Sequence, residues 1–137
     1  DQIMLTIKPG EHGSTFGGNP IACKVAMAAL KVIKDEKLDE NAYTMGKRFR
    51  EQIKKYTKDL SIVKEIRGKG LLNAIEITDK NKNNMAWDIC IRMSEYGLLA
   101  KPTHGNIIRF APPLTIKKVD LDICISIILK TLKEYNK

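Results

Sequence analysis

Hydrophobic residues recur every three or four positions in four long stretches of the chain, which is the spacing of an amphipathic α-helix. The first predicted helix begins at Asn19-Pro20, because asparagine caps free backbone N–H groups and proline suits the first helical position. It should run to about Lys34, and its many alanines and aliphatic residues predict burial of much of its circumference. The other three helices are predicted over 38–56, around 86–93, and over 118–135.

Four shorter segments are rich in β-branched residues and predict strands. The first two, 62–67 and 71–78, are joined by a tight turn at 68–70, and the last two, 98–101 and 107–110, by the sequence PTHGN. A polar loop is predicted over 79–84, and Ala111-Pro112-Pro113 forbids regular structure after the fourth strand. A single helical turn over 2–7 should end at Pro9-Gly10.

The order of these elements is typical of a small α+β sandwich, in which helices cover a mostly antiparallel sheet. The acidic link at 35–37 marks a plausible domain boundary, so the first helix should belong to another unit. A length of 137 residues suits one ordinary domain with an appendage. Because the chain starts at Asp1 rather than Met, and within an element, we expect a piece of a longer protein.

Composition excludes several classes of protein. Hydrophobic residues at 43% and charged residues at 29% exclude disordered and fibrous chains. No apolar run reaches the roughly 18 residues of a membrane span, and the first residues lack the layout of a signal peptide. Cys23, Cys90 and Cys124 fall within apolar helical patterns and lack metal-ligand spacing, so we expect reduced, buried thiols.

The net charge of +8 raises the question of an acidic partner such as nucleic acid. The lysines are spread over separate segments, however, and aromatic residues make up only 6% of the chain. No sequence signature of a nucleic-acid-binding module is present. A solvated basic surface is therefore favoured, and a basic nucleic-acid-binding module is kept as the distant alternative.

The sequence GEHGSTFGGNP at residues 10–20, called the glycine loop below, is the first candidate site. Glycines let backbone N–H groups approach a ligand closely, Ser14 and Thr15 add hydroxyl donors, and the following helix N-terminus favours anions. This combination is typical of phosphate binding. Taken alone, it is still more often a plain connecting loop, and it does not match the P-loop pattern.

Arg109 is the second candidate, because it ends an apolar strand immediately before the rigid Ala-Pro-Pro corner. A guanidinium held there is suited to bind a carboxylate through two parallel hydrogen bonds. The spacing alone favours the alternative of a structural salt bridge. The segment Arg67-Gly68-Lys69-Gly70 could cradle an anion, although a strand-joining turn is the more typical use of such a segment.

Groups for other chemistry are sparse. His12 and His104 stand in loops with no partner at ligand spacing, so no metal site is predicted. No Ser-His-Asp set or carboxylate pair can be assembled from these positions. The residues alone therefore predict two anion-binding sites and no catalytic group.

Three motifs followed by an amphipathic helix occur in an order and spacing that resemble the C-terminal part of the class III pyridoxal-phosphate aminotransferases. The motifs are HGSTFGGNP, VKEIRGKGLLNAIEI and YGLLAKPTHGNIIRFAPPL, and the resemblance covers nearly the whole chain. It implies a fold-type I transferase, a mixed α/β fold with an α+β small domain. Residues 1–35 would be the end of the large cofactor-binding domain with its connecting helix, and 36–137 the C-terminal small domain.

The same resemblance implies the activity, most closely that of the family members that act on ornithine. These transfer the δ-amino group of ornithine to 2-oxoglutarate, using pyridoxal 5'-phosphate (PLP), and are homodimers. By resemblance, Ser14 and Thr15 hydrogen-bond the PLP phosphate of the partner subunit, and Arg109 binds the α-carboxylate of both substrates. The dimer would form through the large domain and the glycine loop.

Other essential groups are implied to lie upstream of residue 1, above all the lysine that forms a Schiff base with PLP. Lys69 and Lys101 do not match its motif, so this chain alone is expected to be inactive. The alternatives within the family are enzymes that act on acetylornithine or 4-aminobutyrate. No nucleic acid or membrane partner is expected, and the cytoplasm is slightly preferred over the mitochondrial matrix.

Overall fold

The computed structural model describes residues 2–78 and 84–136. The chain divides into two compact units, Asp1–Glu36 and Lys37–Lys137. Most of the predicted loop over 79–84 lies outside the described residues. The assignment of the two units to a large and a small domain stays a prediction.

The first unit contains a 3₁₀ turn at Met4–Thr6 and helix α1 at Pro20–Asp35. The side chain of Asn19 caps this helix as predicted, since its Oδ1 accepts hydrogen bonds from the backbone N–H of Ile21 at 3.0 Å and of Ala22 at 3.1 Å. These two bonds satisfy amides that a helix N-terminus otherwise leaves free.

The predicted burial of α1 is wrong, because none of its residues is buried. The described part of this unit, residues 2–36, contains no second α-helix and no strand to cover it. Cys23 is consequently exposed, against the expectation of three buried thiols. Cys90 is buried, and desolvation raises the pKa of its thiol to about 11, whereas Cys124 is partly buried.

The second unit is a four-stranded antiparallel sheet with helices against one side, which confirms the predicted architecture. The sheet has the order β1-β2-β4-β3. Its elements follow the chain as α2 Leu38–Tyr56, β1 Val63–Lys69, β2 Leu72–Ile77, α3 Met85–Glu95, β3 Lys101–Thr103, β4 Ile107–Phe110 and α4 Lys118–Tyr135.

The third strand lies three residues later than the predicted 98–101. Gly97 takes a left-handed conformation after α3, and the N–H of Leu98 donates back to the carbonyl of Met93 at 3.0 Å, so the chain is still leaving the helix there. The turn between β3 and β4 is correspondingly shorter than PTHGN. It is made at His104 and Gly105, both with positive φ.

Strand alternation divides the sheet into a buried and an exposed side. Ile75 of β2 and Ile108 of β4 are fully buried against the helices, and the rings of Phe49 and Phe110 lie 5.5 Å apart in the same core. The opposite side, called the open face below, is the side from which Arg67, Ala74, Arg109 and Lys101 project. Of these, Arg67, Arg109 and Lys101 are exposed, and Ala74 is half-buried.

Helix α2 and the β1–β2 hairpin meet at two glycines. A Cβ atom on Gly46 would lie 1.7 Å from the carbonyl oxygen of Gly70, which is far inside van der Waals contact. Gly70 itself has φ +54°, the left-handed conformation that the turn requires. The absence of a side chain at Gly46 therefore sets how closely the helix lies over the hairpin.

We expect Gly46→Ala to lower the free energy of unfolding by about 1–3 kcal/mol, because either α2 or the hairpin must move. The measurement is urea denaturation of the chain followed by circular dichroism. Thr44→Ala, on the exposed side of the same helix, is the control and should cost nothing. A gain in stability for Gly46→Ala, as at an ordinary helical glycine, would contradict the close approach.

Candidate functional site

The glycine loop is shaped by its own hydrogen bonds. The hydroxyl of Ser14 accepts from the backbone N–H of Gly17 at 2.8 Å, and the N–H of Asn19 donates to the carbonyl of Phe16 at 3.2 Å. Gly18 has φ +76°, a left-handed conformation that would be strained for a residue with a side chain. The loop thus turns tightly over residues 14–19 before α1 begins.

Two hydroxyl groups on this loop remain available to a ligand. Thr15 is exposed and makes no side-chain hydrogen bond with the described residues. Ser14 accepts a bond from Gly17, but its own O–H proton stays free to donate. Asn19 already occupies two amides of α1, so that pair of amides is not available to a ligand, whereas the two hydroxyls are.

Arg109 lies in β4 with its neighbours fixed by the sheet register. It is paired across the strands with Ala74 of β2 and with Lys101 of β3. Its side chain is exposed and forms no hydrogen bond or ion pair with the described residues. The salt bridge that the spacing favoured does not form within residues 2–78 and 84–136, so no described carboxylate competes with an anion for the guanidinium.

Arg67 is the opposite case on the same face. Its Nη1 donates to Glu65 Oε2 at 2.5 Å and to Glu76 Oε2 at 3.0 Å, and Lys64 Nζ lies 2.5 Å from the other oxygen of Glu76. Hydrogen bonds from Lys64 and Arg67 lower the pKa of Glu76, which keeps this carboxylate ionised. Arg67 is thus neutralised by protein carboxylates.

The segment Arg67-Gly68-Lys69-Gly70 joins two strands, as the more typical use of such a segment predicts. Its first three residues belong to β1, and the turn itself is made at Gly70 and Leu71. The basic side chains therefore belong to a strand end, where Arg67, Gly68 and Lys69 line an open cavity together with Arg109.

The polar group that holds this hairpin was not predicted from the sequence. Arg50 of α2 donates to the carbonyl of Gly70 at 3.0 Å and to Asn73 Oδ1 at 2.7 Å, and Asn73 Nδ2 donates to the same carbonyl at 3.2 Å. Asn73 is buried and pairs with Phe110, the residue after Arg109. The sequence feature that could have predicted this group is Asn73, a polar residue at an inward-facing position of β2.

No group of three or more potential ligands that could hold a metal ion occurs in residues 2–78 and 84–136. No described helix is long and apolar enough to cross a membrane. His104 lies in the β3–β4 turn, and His12 is exposed in the glycine loop.

Residues 1–132 match the family Aminotransferase class-III. The chain belongs to the class III aminotransferases. It is 58% identical over 132 residues to the mitochondrial ornithine aminotransferase of Drosophila melanogaster, covering 96% of this chain and 30% of that protein. It is 53% identical over 135 residues to the mitochondrial ornithine aminotransferase of Rattus norvegicus, covering 98% and 30%.

Solved structures of this family have the same fold. A structure of Plasmodium falciparum ornithine δ-aminotransferase superposes with a TM-score of 0.87 at 48% identity, over 99% of this chain and 35% of that one. The acetylornithine aminotransferase of Elizabethkingia anophelis gives 0.85 at 57% identity, over 96% and 34%. This confirms the fold-type I expectation. The chain spans about a third of the length of the relatives that it matches.

Class III aminotransferases depend on PLP, and the described residues fit the phosphate end of that cofactor. A phosphate group accepts hydrogen bonds at several oxygens, and the exposed hydroxyls of Ser14 and Thr15 are donors on a tightly turned loop. The guanidinium of Arg109, which has no bonded partner among the described residues, is suited to a carboxylate. The glycine loop belongs to the first unit and Arg109 to the second.

Proposed function

We propose that the enzyme containing this chain transfers the δ-amino group of L-ornithine to 2-oxoglutarate, giving glutamate-5-semialdehyde and glutamate. Arg109 carries this proposal, because it forms no ion pair with the described residues and lies on a strand paired on both sides. The relatives from Drosophila and rat are named ornithine aminotransferases. The substrate, the homodimer and the inactivity of this chain alone are all part of the proposal. PLP would supply the electron sink for the reaction.

Arg109 binds the α-carboxylate that ornithine and 2-oxoglutarate share. Its backbone is held by strand pairing on both sides, and the next residue, Phe110, is buried against Phe49. Two parallel hydrogen bonds from the guanidinium fix the carboxylate in one plane, at about 1.5–3 kcal/mol for each bond to a charged group. The same residue thereby binds both substrates in turn, with the carboxylate next to the reacting carbon of 2-oxoglutarate and separated by three carbons from the reacting δ-carbon of ornithine.

Ser14 and Thr15 hold the PLP phosphate of the partner subunit in a homodimer. Thr15 has no competing partner among the described residues, so its hydroxyl is free to donate directly. Ser14 both shapes the loop through Gly17 and offers its own proton. Neither residue acts on the reacting atoms, so their contribution is cofactor retention.

A second candidate is transfer from N-acetylornithine, favoured by the 57% identity to the Elizabethkingia structure of that name. Ornithine and N-acetylornithine have the same carbon chain and the same α-carboxylate, but the α-nitrogen is charged in ornithine and neutral in N-acetylornithine. Arg109 alone does not distinguish them.

The compartment is proposed to be either the cytoplasm or the mitochondrial matrix. The names of the Drosophila and rat relatives support the mitochondrial matrix.

The choice of amino donor is tested by presenting ornithine, N-acetylornithine and 4-aminobutyrate to the PLP-loaded full-length enzyme. We expect the highest kcat/KM with ornithine, with glutamate formed from 2-oxoglutarate in each productive case. Glutamate is measured with a coupled dehydrogenase assay, and an enzyme without PLP is the control. A higher kcat/KM with N-acetylornithine than with ornithine would contradict the proposed function and support the second candidate.

We expect Arg109→Lys to raise the KM for both ornithine and 2-oxoglutarate about tenfold or more, because lysine cannot form the two parallel bonds. Steady-state kinetics of the holoenzyme measure this effect. Arg92→Lys is a matched control, since Arg92 pairs with Glu95 and Glu134 in the helical layer. If only one substrate responded to Arg109→Lys, a shared carboxylate site would be wrong.

We expect Thr15→Ala to weaken PLP binding about ten- to a hundredfold, the loss of one hydrogen bond to a charged group, with a smaller effect on the KM for ornithine. Titration of the apoenzyme with PLP measures the affinity. Thr15→Ser retains the hydroxyl and should bind PLP nearly as the unsubstituted enzyme does. Unchanged PLP affinity in Thr15→Ala would remove the phosphate role.

A further inference from the structure

One row of residues crosses all four strands of the open face. The register pairs Arg67 with Ala74, Ala74 with Arg109, and Arg109 with Lys101. Residues directly opposite one another in antiparallel strands project to the same side, with Cβ atoms about 4.5–5.5 Å apart. Arg109 therefore has the methyl group of Ala74 on one side and the cationic side chain of Lys101 on the other.

The cations of this row differ in their partners. Arg67 is bonded to Glu65 and Glu76 and is neutralised. Lys101 and Arg109 are exposed, and neither forms an ion pair or side-chain hydrogen bond with residues 2–78 or 84–136. Like charges directly opposite on a sheet repel each other. An anion bound beside the two side chains would be attracted to both of them, and this attraction would offset their mutual repulsion.

We propose that Lys101 is a positioning residue that supplies a second positive charge to the substrate carboxylate bound by Arg109. This inference rests on the proposed function and extends it to Lys101. Lysine carries a compact charge on a flexible stem, whereas the planar guanidinium of arginine fixes orientation. Arg109 thus sets the geometry of the carboxylate, and Lys101 increases the attraction for it.

The backbone of Lys101 is placed precisely enough for this role. Its strand pairs with β4 at three successive positions, Lys101 with Arg109, Pro102 with Ile108, and Thr103 with Ile107. Ile108 is fully buried, so the alternation of side chains keeps Lys101 on the open face with Arg109. The backbone positions of Lys101 and Arg109 therefore stay opposite each other unless the register changes.

The test is Lys101→Gln in the PLP-loaded full-length enzyme, with ornithine and 2-oxoglutarate as substrates. We expect the KM for both substrates to rise about three- to tenfold through loss of one nearby charge, with kcat changed less than about twofold. Added NaCl should lower kcat/KM less in the variant than in the unsubstituted enzyme, because screening then acts on one charge fewer. Lys101→Arg should restore most of the affinity.

Lys133→Gln is the matched control, because Lys133 is an exposed lysine on α4 in the helical layer and its loss changes the net charge equally. We expect its KM values and salt dependence to equal those of the unsubstituted enzyme. Equal effects of the two substitutions, an unchanged KM in Lys101→Gln, or a fall in kcat alone would each overturn the proposal.

The dicarboxylate glutarate separates this inference from the proposed function. If the unsubstituted enzyme failed to transfer an amino group from ornithine, the proposed function would fall, but calorimetric titration with glutarate would still compare carboxylate binding. Weaker glutarate binding by Lys101→Gln than by Lys133→Gln supports the role of Lys101. Equal binding by the two variants overturns it.

Discussion

The antiparallel register of β2, β4 and β3 is the constraint on which the second unit and its candidate site depend. Along β4, Ile108 and Phe110 face the helices, so Arg109 between them must face away. A slip of one residue would bury the guanidinium and expose both apolar side chains. The burial of Ile108 and Phe110, which stabilises the sheet, therefore also determines that Arg109 projects from the open face.

The availability of Arg109 depends on how the acids of the open face are engaged. Glu76 lies one row away on β2, paired with Ile107, and its two oxygens are bonded to Lys64 and Arg67. Because these bonds lower the pKa of Glu76, the network persists at neutral pH and is lost only as pH falls through that lowered pKa. An engaged Glu76 does not compete with a substrate carboxylate for Arg109.

Much of this arrangement could be predicted from the sequence, because hydrophobic periodicity and β-branched segments act locally. The helices at 38–56 and 118–135 and the hairpin near residue 70 were found in this way. The position of β3 could not be, since it is set by the helix-ending bond from Leu98 to Met93 and the left-handed turn at His104. Burial of α1 was wrongly predicted because apolar spacing does not say whether a partner element is present.

The two candidate sites differ in how far they can be predicted from the sequence, because one is formed by neighbouring residues and the other by pairing between strands. Ser14 and Thr15 lie in a short segment whose glycines and cap are adjacent in sequence, so the phosphate hypothesis needs no tertiary information. The freedom of Arg109 and its neighbour Lys101 depends on pairing between strands and on which carboxylates are already bonded. The spacing favoured a salt bridge there, and only the register showed that the nearest neighbour of Arg109 on β3 is another cation. The position of Arg109 beside Lys101 on the open face is thus a property of the folded sheet, which the motif alone does not reveal.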